Sequence, residues 1–124
     1  MKRLSDSELE IMMIVWLANK PVTRFEIEEA MNKERKLAPT TILSFLSRLE
    51  DKGFLKIEKQ GKLNIYTSMV KEQDYLKKES KSILKKMYQN SVNNFMTALY
   101  DGDNLSEDDM KELQEFIDEK REEK

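Results

Sequence analysis

Apolar residues recur at helical spacing in three short segments in the first half of the chain. The first begins with a capping box at Ser5 to Glu8, whose side chains bind backbone N–H groups left free at a helix start. A second capping box at Thr23 to Glu26 begins a helix that ends near Met31, and Val22 can pack on Ile27. The apolar positions that predict a mostly buried first helix are Leu9, Ile11, Met12, Met13, Ile14, Val15, Trp16 and Leu17.

The third segment, Ala38 to Gly53, has the pattern of a DNA-recognition helix. Proline stands at its first helical position and Gly53 follows its end. One apolar stripe runs along it, formed by Ile42, Phe45, Leu46 and Leu49. The other face is short and polar, as close approach to base edges in a major groove requires, although an ordinary solvated face is the alternative. The residues that we expect to face DNA are Thr40, Thr41, Leu43, Ser44, Ser47 and Arg48.

Two segments with alternating apolar residues, Phe54 to Lys59 and Leu63 to Val70, predict a β-hairpin after this helix. Its tip carries Lys59 and Lys62 beside Gly61. Lysines there would bind phosphate and release counterions, whereas a solvated turn is the alternative interpretation. Helices and hairpin together predict a winged helix-turn-helix domain over residues 1–70.

The rest of the chain, residues 71–124, reads as helical. A stripe of apolar residues extends to about Tyr100, which predicts a helix of roughly 30 residues. After a turn at 101–104, Ser106 and Asp109 are expected to cap a last helix. A winged domain cannot cover so long a stripe, so we expect a second copy to cover it. The predicted dimerisation residues are Ile83, Met87, Val92, Phe95, Met96, Leu99, Leu113, Phe116 and Ile117.

The predicted fold class is therefore mainly α with a small β-hairpin wing, and the charge distribution agrees with its two parts. The net charge of -2 hides two opposite regions. Residues 33–62 carry eight Lys or Arg against four acids, and residues 99–124 carry four against eleven. Only the first region suits phosphate, and the acidic region would repel DNA.

Composition excludes several classes of function. The chain has no His and no Cys, which removes imidazole bases, thiolate nucleophiles and the usual zinc or copper ligands. We therefore expect no enzyme activity, no cofactor and no metal. No apolar run approaches the roughly 20 residues of a membrane span, and the first residues lack the apolar core of a signal peptide, so we expect a cytoplasmic protein without membrane insertion.

The chain resembles the penicillinase repressor family, the BlaI/MecI type of winged-helix regulator, over nearly its full length. The residues that carry the resemblance are Leu4-Ser5, Glu8-Leu9-Glu10-Ile11-Met12, Trp16, Ala38-Pro39-Thr40-Thr41-Ile42, Arg48-Leu49, Lys52-Gly53, Tyr66, Lys71-Glu72, Leu105-Ser106-Glu107-Asp108 and Glu112-Leu113.

This resemblance implies a homodimer that binds double-stranded operator DNA of two-fold symmetry and represses genes, classically those of β-lactam resistance. It also implies relief of repression by proteolysis, with a membrane sensor protease as a further partner. Counting back from Leu105-Ser106 places the family's cleaved bond near Ala98-Leu99, whereas the Asn-Phe pair of this sequence is Asn94-Phe95. Thr40 and Leu43 stand where classical members carry basic residues, so the resemblance leaves the operator sequence open.

Two other functions fit the same pattern. One is a regulator of the same fold that responds to a small ligand, in the manner of MarR-type repressors. The other is a helical adaptor that binds a protein partner through residues 71–117 and binds no DNA.

Overall fold

The computed structural model describes residues 1–33, 36–100 and 105–123, and the chain is mainly helical with a small sheet, as the hydrophobic pattern predicts. The chain divides into two compact units, Met1–Glu79 and Ser80–Lys124. Our division into residues 1–70 and 71–124 stays a prediction. The elements are α1 (Asp6–Ala18), β1 (Val22–Thr23), α2 (Arg24–Met31), α3 (Pro39–Asp51), β2 (Leu55–Gln60), β3 (Leu63–Ser68), α4 (Glu72–Tyr88), α5 (Val92–Tyr100) and α6 (Glu107–Glu122).

Helix α1 begins with the predicted capping box but buries a narrower face than its apolar residues suggest. The Ser5 hydroxyl accepts from the Glu8 N–H, and the Ser5 N–H donates to the Glu8 carboxylate at 2.8 Å. The prediction that Met13 and Leu17 belong to the buried face is wrong, since Leu17 is 88% exposed. At 100° per residue these two side chains lie roughly opposite the buried stripe. That stripe consists of Glu8, Ile11, Met12 and Val15.

The core of the first unit lies between α1, α2, α3 and the sheet. Tyr75 from the start of α4 completes it, with its ring 5.5 Å from that of Phe54 in an edge-to-face arrangement. The buried apolar residues are Leu4, Ile11, Met12, Val15, Val22, Ile27, Met31, Ile42, Leu46, Leu49, Phe54, Leu55, Tyr66 and Tyr75.

The hairpin is formed as predicted and carries one strand that the sequence did not indicate. Strands β2 and β3 pair antiparallel, with Ile57 opposite Tyr66 and Gln60 opposite Leu63. The short β1 pairs with the other side of β3, where Val22 stands opposite Tyr66, so the order is β1-β3-β2. Two residues are too few to show an alternating pattern, which is why periodicity missed β1.

The long helix predicted from residue 71 to about Tyr100 is wrong, because the chain breaks it into α4 and α5. Gln89 and Asn90 adopt left-handed backbone angles, with φ of 53° and 64°. The Asn90 N–H donates to the Leu84 carbonyl at 3.0 Å, a pairing typical of a helix C-terminus. The predicted turn at 101–104, and residues 34–35 of the connection before α3, lie outside the described residues. Within the described ranges, no helix combines the length and apolarity that a bilayer span needs.

One ion pair joins the start of α1 to the end of α3 inside the first unit. The Lys52 ammonium lies 2.5 Å from the Glu8 carboxylate and donates to the Arg3 carbonyl at 3.1 Å. Burial of Glu8, only 1% exposed, acts to raise the pKa of its carboxyl. Hydrogen bonds from Lys52 and from the Ser5 N–H outweigh burial and hold the pKa of Glu8 below its ordinary value.

Replacing Lys52 with Met removes the partner of a buried carboxylate. We expect Lys52→Met to lower the free energy of unfolding at pH 7 by roughly 3 kcal/mol, because an unpaired buried charge is costly. Urea unfolding followed by circular dichroism measures the loss. Lys56→Met, at an exposed lysine of β2, is the matched control and should change stability by less than about 0.5 kcal/mol.

The same variant should change the pH dependence of stability. A depressed pKa in the folded state means that Glu8 stabilises the fold above the unfolded pKa of about 4.3, and that this contribution is lost as pH falls through the lower folded pKa. In Lys52→Met the Ser5 N–H bond remains but the bond and charge of Lys52 are lost, so the pKa of Glu8 rises and the deficit against the parent chain should shrink as falling pH protonates this carboxyl. Equal stability of Lys52→Met and Lys56→Met at pH 7 would contradict this account.

Candidate nucleic-acid interface

Helix α3 is held by an apolar stripe close to the predicted one. Pro39 stands in the first turn after Ala38, whose extended backbone forms the N-cap. Ile42, Leu46 and Leu49 are buried, whereas Phe45 is only half-buried. Lys52 is the C-cap of the helix, and Gly53 then takes φ of +81°, which glycine adopts without strain.

The polar residues predicted to face DNA lie on the outer side of α3. Thr40, Ser44, Ser47 and Arg48 are exposed, and Thr41 is half-buried. The Arg48 guanidinium stands 5.7 Å from the centre of the Phe45 ring, so a cation–π contact orients it in the last turn. The structure therefore offers one continuous face of hydroxyl groups with a guanidinium at its C-terminal end.

The wing presents its two predicted lysines from a glycine turn. Gly61 has φ of +63°, and a Cβ there would meet no atom of the described residues within 4 Å, so backbone geometry rather than crowding favours glycine. Lys59 and Lys62 are both exposed. Lys56 lies on the same strand as Lys59 but three residues away, so its side chain leaves from the opposite face of the sheet.

A cleft of about 180 Å³ brings the wing and α3 together at the start of α2. Leu43 lines it and also packs against the core, so this side chain is half-buried rather than free on the outer face. The described residues that line the cleft are Arg24, Phe25, Leu43, Lys59, Lys62, Leu63, Asn64 and Tyr66.

Sequence reasoning missed Arg24 and Phe25 as members of this region. Both stand in the first turn of α2, and Phe25 is 53% exposed. The sequence signal for Phe25 was a large aromatic residue that lies off the stripe of the buried Ile27 and Met31. An exposed aromatic side chain of this kind indicates a contact surface.

Contacts at the start of α2 also favour the ionised form of the Glu26 carboxyl. The Thr23 N–H donates to the Glu26 carboxylate at 3.0 Å, and Lys20 lies 3.6 Å from the same group. The backbone hydrogen bond, joined by Lys20, holds the pKa of Glu26 below its ordinary value. Within residues 1–33, 36–100 and 105–123, no cluster of carboxylates suited to holding a metal ion occurs.

The predicted dimerisation residues lie in the second unit, and none of them is buried there. No described residue from Ser80 onward is buried, although the segment carries the apolar side chains of three helices. Met87 is 69% exposed, Val92 61% and Phe116 55%. Phe95 and Ile117 are also exposed, and Ile83, Met96, Leu99 and Leu113 are half-buried.

Comparison with known proteins gives a consistent match over most of the chain. The model of the family described as penicillinase repressor matches residues 4–119. The penicillinase repressor of Bacillus licheniformis is 31% identical over 117 residues, covering 94% of this chain and 91% of that protein. The methicillin resistance regulatory protein MecI of Mammaliicoccus sciuri is 32% identical, covering 94% of each chain.

A solved structure matches more than half of the chain. It is the solution structure of the Bacillus licheniformis BlaI monomeric form in complex with the blaP half-operator. It is 34% identical, superposes with a TM-score of 0.51, and covers 60% of this chain and 89% of that one. The winged-helix fold that the sequence predicts is thereby confirmed.

Proposed function

The chain belongs to the penicillinase repressor family, and we propose from this that it is a sequence-specific DNA-binding repressor acting as a homodimer on a two-fold operator. The family is one of transcriptional repressors and not of enzymes. The single observation that carries the proposal is the exposed hydroxyl face of α3 beside the basic wing, in a fold shared with a relative whose structure contains half-operator DNA.

In this proposal α3 lies in the major groove. Arg48 binds a guanine edge or a phosphate. Thr41 and Ser44 form hydrogen bonds to phosphates or base edges, because short hydroxyl side chains reach these groups at close range. Thr40 and Ser47 belong to the same face. Leu43 is half-buried beside that face, and the exposed part of its side chain supplies an apolar contact to a thymine methyl group. Lys59 and Lys62 bind the phosphate backbone from the wing.

The second unit supplies the dimer. Its helices expose apolar side chains that a single chain leaves in water, and burial of such surface is the main driving force for association. The interface therefore consists of the predicted residues of α4, α5 and α6. Dimerisation joins two half-site affinities into one operator affinity.

The proposed target genes are those of β-lactam resistance, because the relatives are named for penicillinase and methicillin resistance. The proposed location of the protein is the cytoplasm. A membrane sensor protease is the proposed partner that relieves repression. Both candidate bonds, Asn94-Phe95 and Ala98-Leu99, lie in α5, so cleavage at either would cut the proposed dimer interface.

Two lysines of one strand test the DNA contacts of the wing. We expect Lys59→Gln to weaken binding to every DNA sequence and to reduce the slope of log affinity against log salt by about 1, because one phosphate contact is lost. Lys56→Gln removes the same charge from the opposite face of β2 and should leave the slope unchanged. Fluorescence anisotropy with a duplex that the parent chain selects from a random pool measures both. Identical slopes for the two variants would remove Lys59 from the interface.

Two adjacent positions of α6 test the dimer. Phe116 is 55% exposed and lies under the Lys120 ammonium at 5.7 Å. Glu115 lies about 100° from Phe116 around the helix and roughly opposite the centre of the stripe formed by Leu113, Phe116 and Ile117. We expect Phe116→Lys to weaken self-association at least roughly tenfold, because aromatic anchors dominate interfaces. Glu115→Lys introduces the same side chain and should sediment as the parent does. A parent chain that sediments only as single molecules at micromolar concentration would refute the dimer.

A further inference from the structure

The cleft between the wing and α3 combines positive charge with exposed apolar surface. Arg24, Lys59 and Lys62 contribute cations, and among the described residues that line the cleft none is acidic. Phe25 and Leu63, 53% and 43% exposed, form apolar walls that water covers in the free chain. A ligand that fits must therefore carry negative charge on an apolar framework.

Arg24 is held in place on the surface of this cleft. Its Nε lies 3.1 Å from the Glu28 carboxylate one helical turn away. Its guanidinium carbon stands 4.9 Å from the centre of the Phe25 ring, within the range of a cation–π contact. A guanidinium fixed on one side by a ring retains further N–H donors, and these suit phosphate oxygens.

We propose that this cleft receives a segment of the DNA sugar–phosphate backbone beside α3, with Arg24 bonding to phosphate and Phe25 packing on deoxyribose. The proposal rests on the proposed function and extends it to two residues of α2. Charge complementarity supports this occupant, because a DNA strand alternates anionic phosphate with apolar sugar carbons. Position supports it as well, since Lys59 and Lys62 line the same cleft from the wing.

The two contacts have different signatures in salt. A guanidinium that binds phosphate releases a counterion, so its loss flattens the salt dependence of binding. A ring that packs on sugar releases none, so its loss lowers affinity by the same factor at every salt concentration.

The experiment uses full-length chains and the duplex that the parent selects from a random pool, with affinity measured by anisotropy at several salt concentrations. We expect Arg24→Gln to weaken binding roughly fivefold to tenfold and to reduce the salt slope by about 1. We expect Phe25→Ala to weaken binding roughly fivefold with the slope unchanged. Lys20→Gln, at a lysine outside the cleft that pairs with Glu26, should match the parent. Thermal melts establish that each variant is folded.

Glu28→Gln separates a DNA contact from a purely structural role. If Arg24 acts only by anchoring α2 through Glu28, breaking the pair from either side should weaken DNA binding equally. If Arg24 binds phosphate, Glu28→Gln removes a competing carboxylate, and binding should be as tight as in the parent or tighter. Weakening by Glu28→Gln equal to that of Arg24→Gln would overturn the proposal.

DNA-binding measurements on these variants distinguish an error in the cleft proposal from an error in the proposed function. Should Arg24→Gln match Lys20→Gln while Lys59→Gln still flattens the salt slope, the cleft proposal falls and the proposed function stands. A parent chain that selects no duplex and shows no salt-dependent DNA binding would end both.

Discussion

The ion pair between Glu8 and Lys52 is the polar contact on which the orientation of α3 depends. Glu8 closes the capping box of α1, and Lys52 is the C-cap of α3, so one carboxylate binds groups at a helix start and at a helix end. A carboxylate this deeply buried is tolerated only when it is paired and hydrogen-bonded. Apolar packing through Leu46 and Leu49 buries one face of α3, and the ion pair adds a directional contact at the end of that helix. The hydroxyl face thus belongs to a helix that is connected at its end to the start of α1.

The position of the wing depends on the pairing of β3 with both of its neighbouring strands. Strand β3 bonds to β2 on one side and to β1 on the other, so Val22 and Tyr66 connect the hairpin to the chain just before α2. This connection brings the first turn of α2 beside the wing, which is why Arg24 shares a cleft with Lys59. Three segments distant in sequence therefore contribute to one basic surface, and none of them needs an unusual residue to do so.

How much of this the sequence predicts depends on how local each signal is. The capping boxes at Ser5 and Thr23, the stripe of α3 and the hairpin turn are set by neighbouring residues, and all were predicted correctly. The pairing of β1, the Glu8–Lys52 contact and the cleft join residues far apart in the chain, and no periodicity encodes them. The helix break at Gln89 was missed for a different reason. The apolar stripe continues across the break, so the pattern of apolar residues does not indicate the left-handed backbone there.

The central claim is that two chains, each presenting α3 and a wing, occupy one operator together. Native mass spectrometry of the parent chain with its selected duplex tests this most directly, using the whole site and a duplex cut to one half-site. The account predicts two chains on the whole site without a populated single-chain complex at the affinity midpoint, and one weakly bound chain on the half-site. A single chain that binds both duplexes with equal affinity would contradict it.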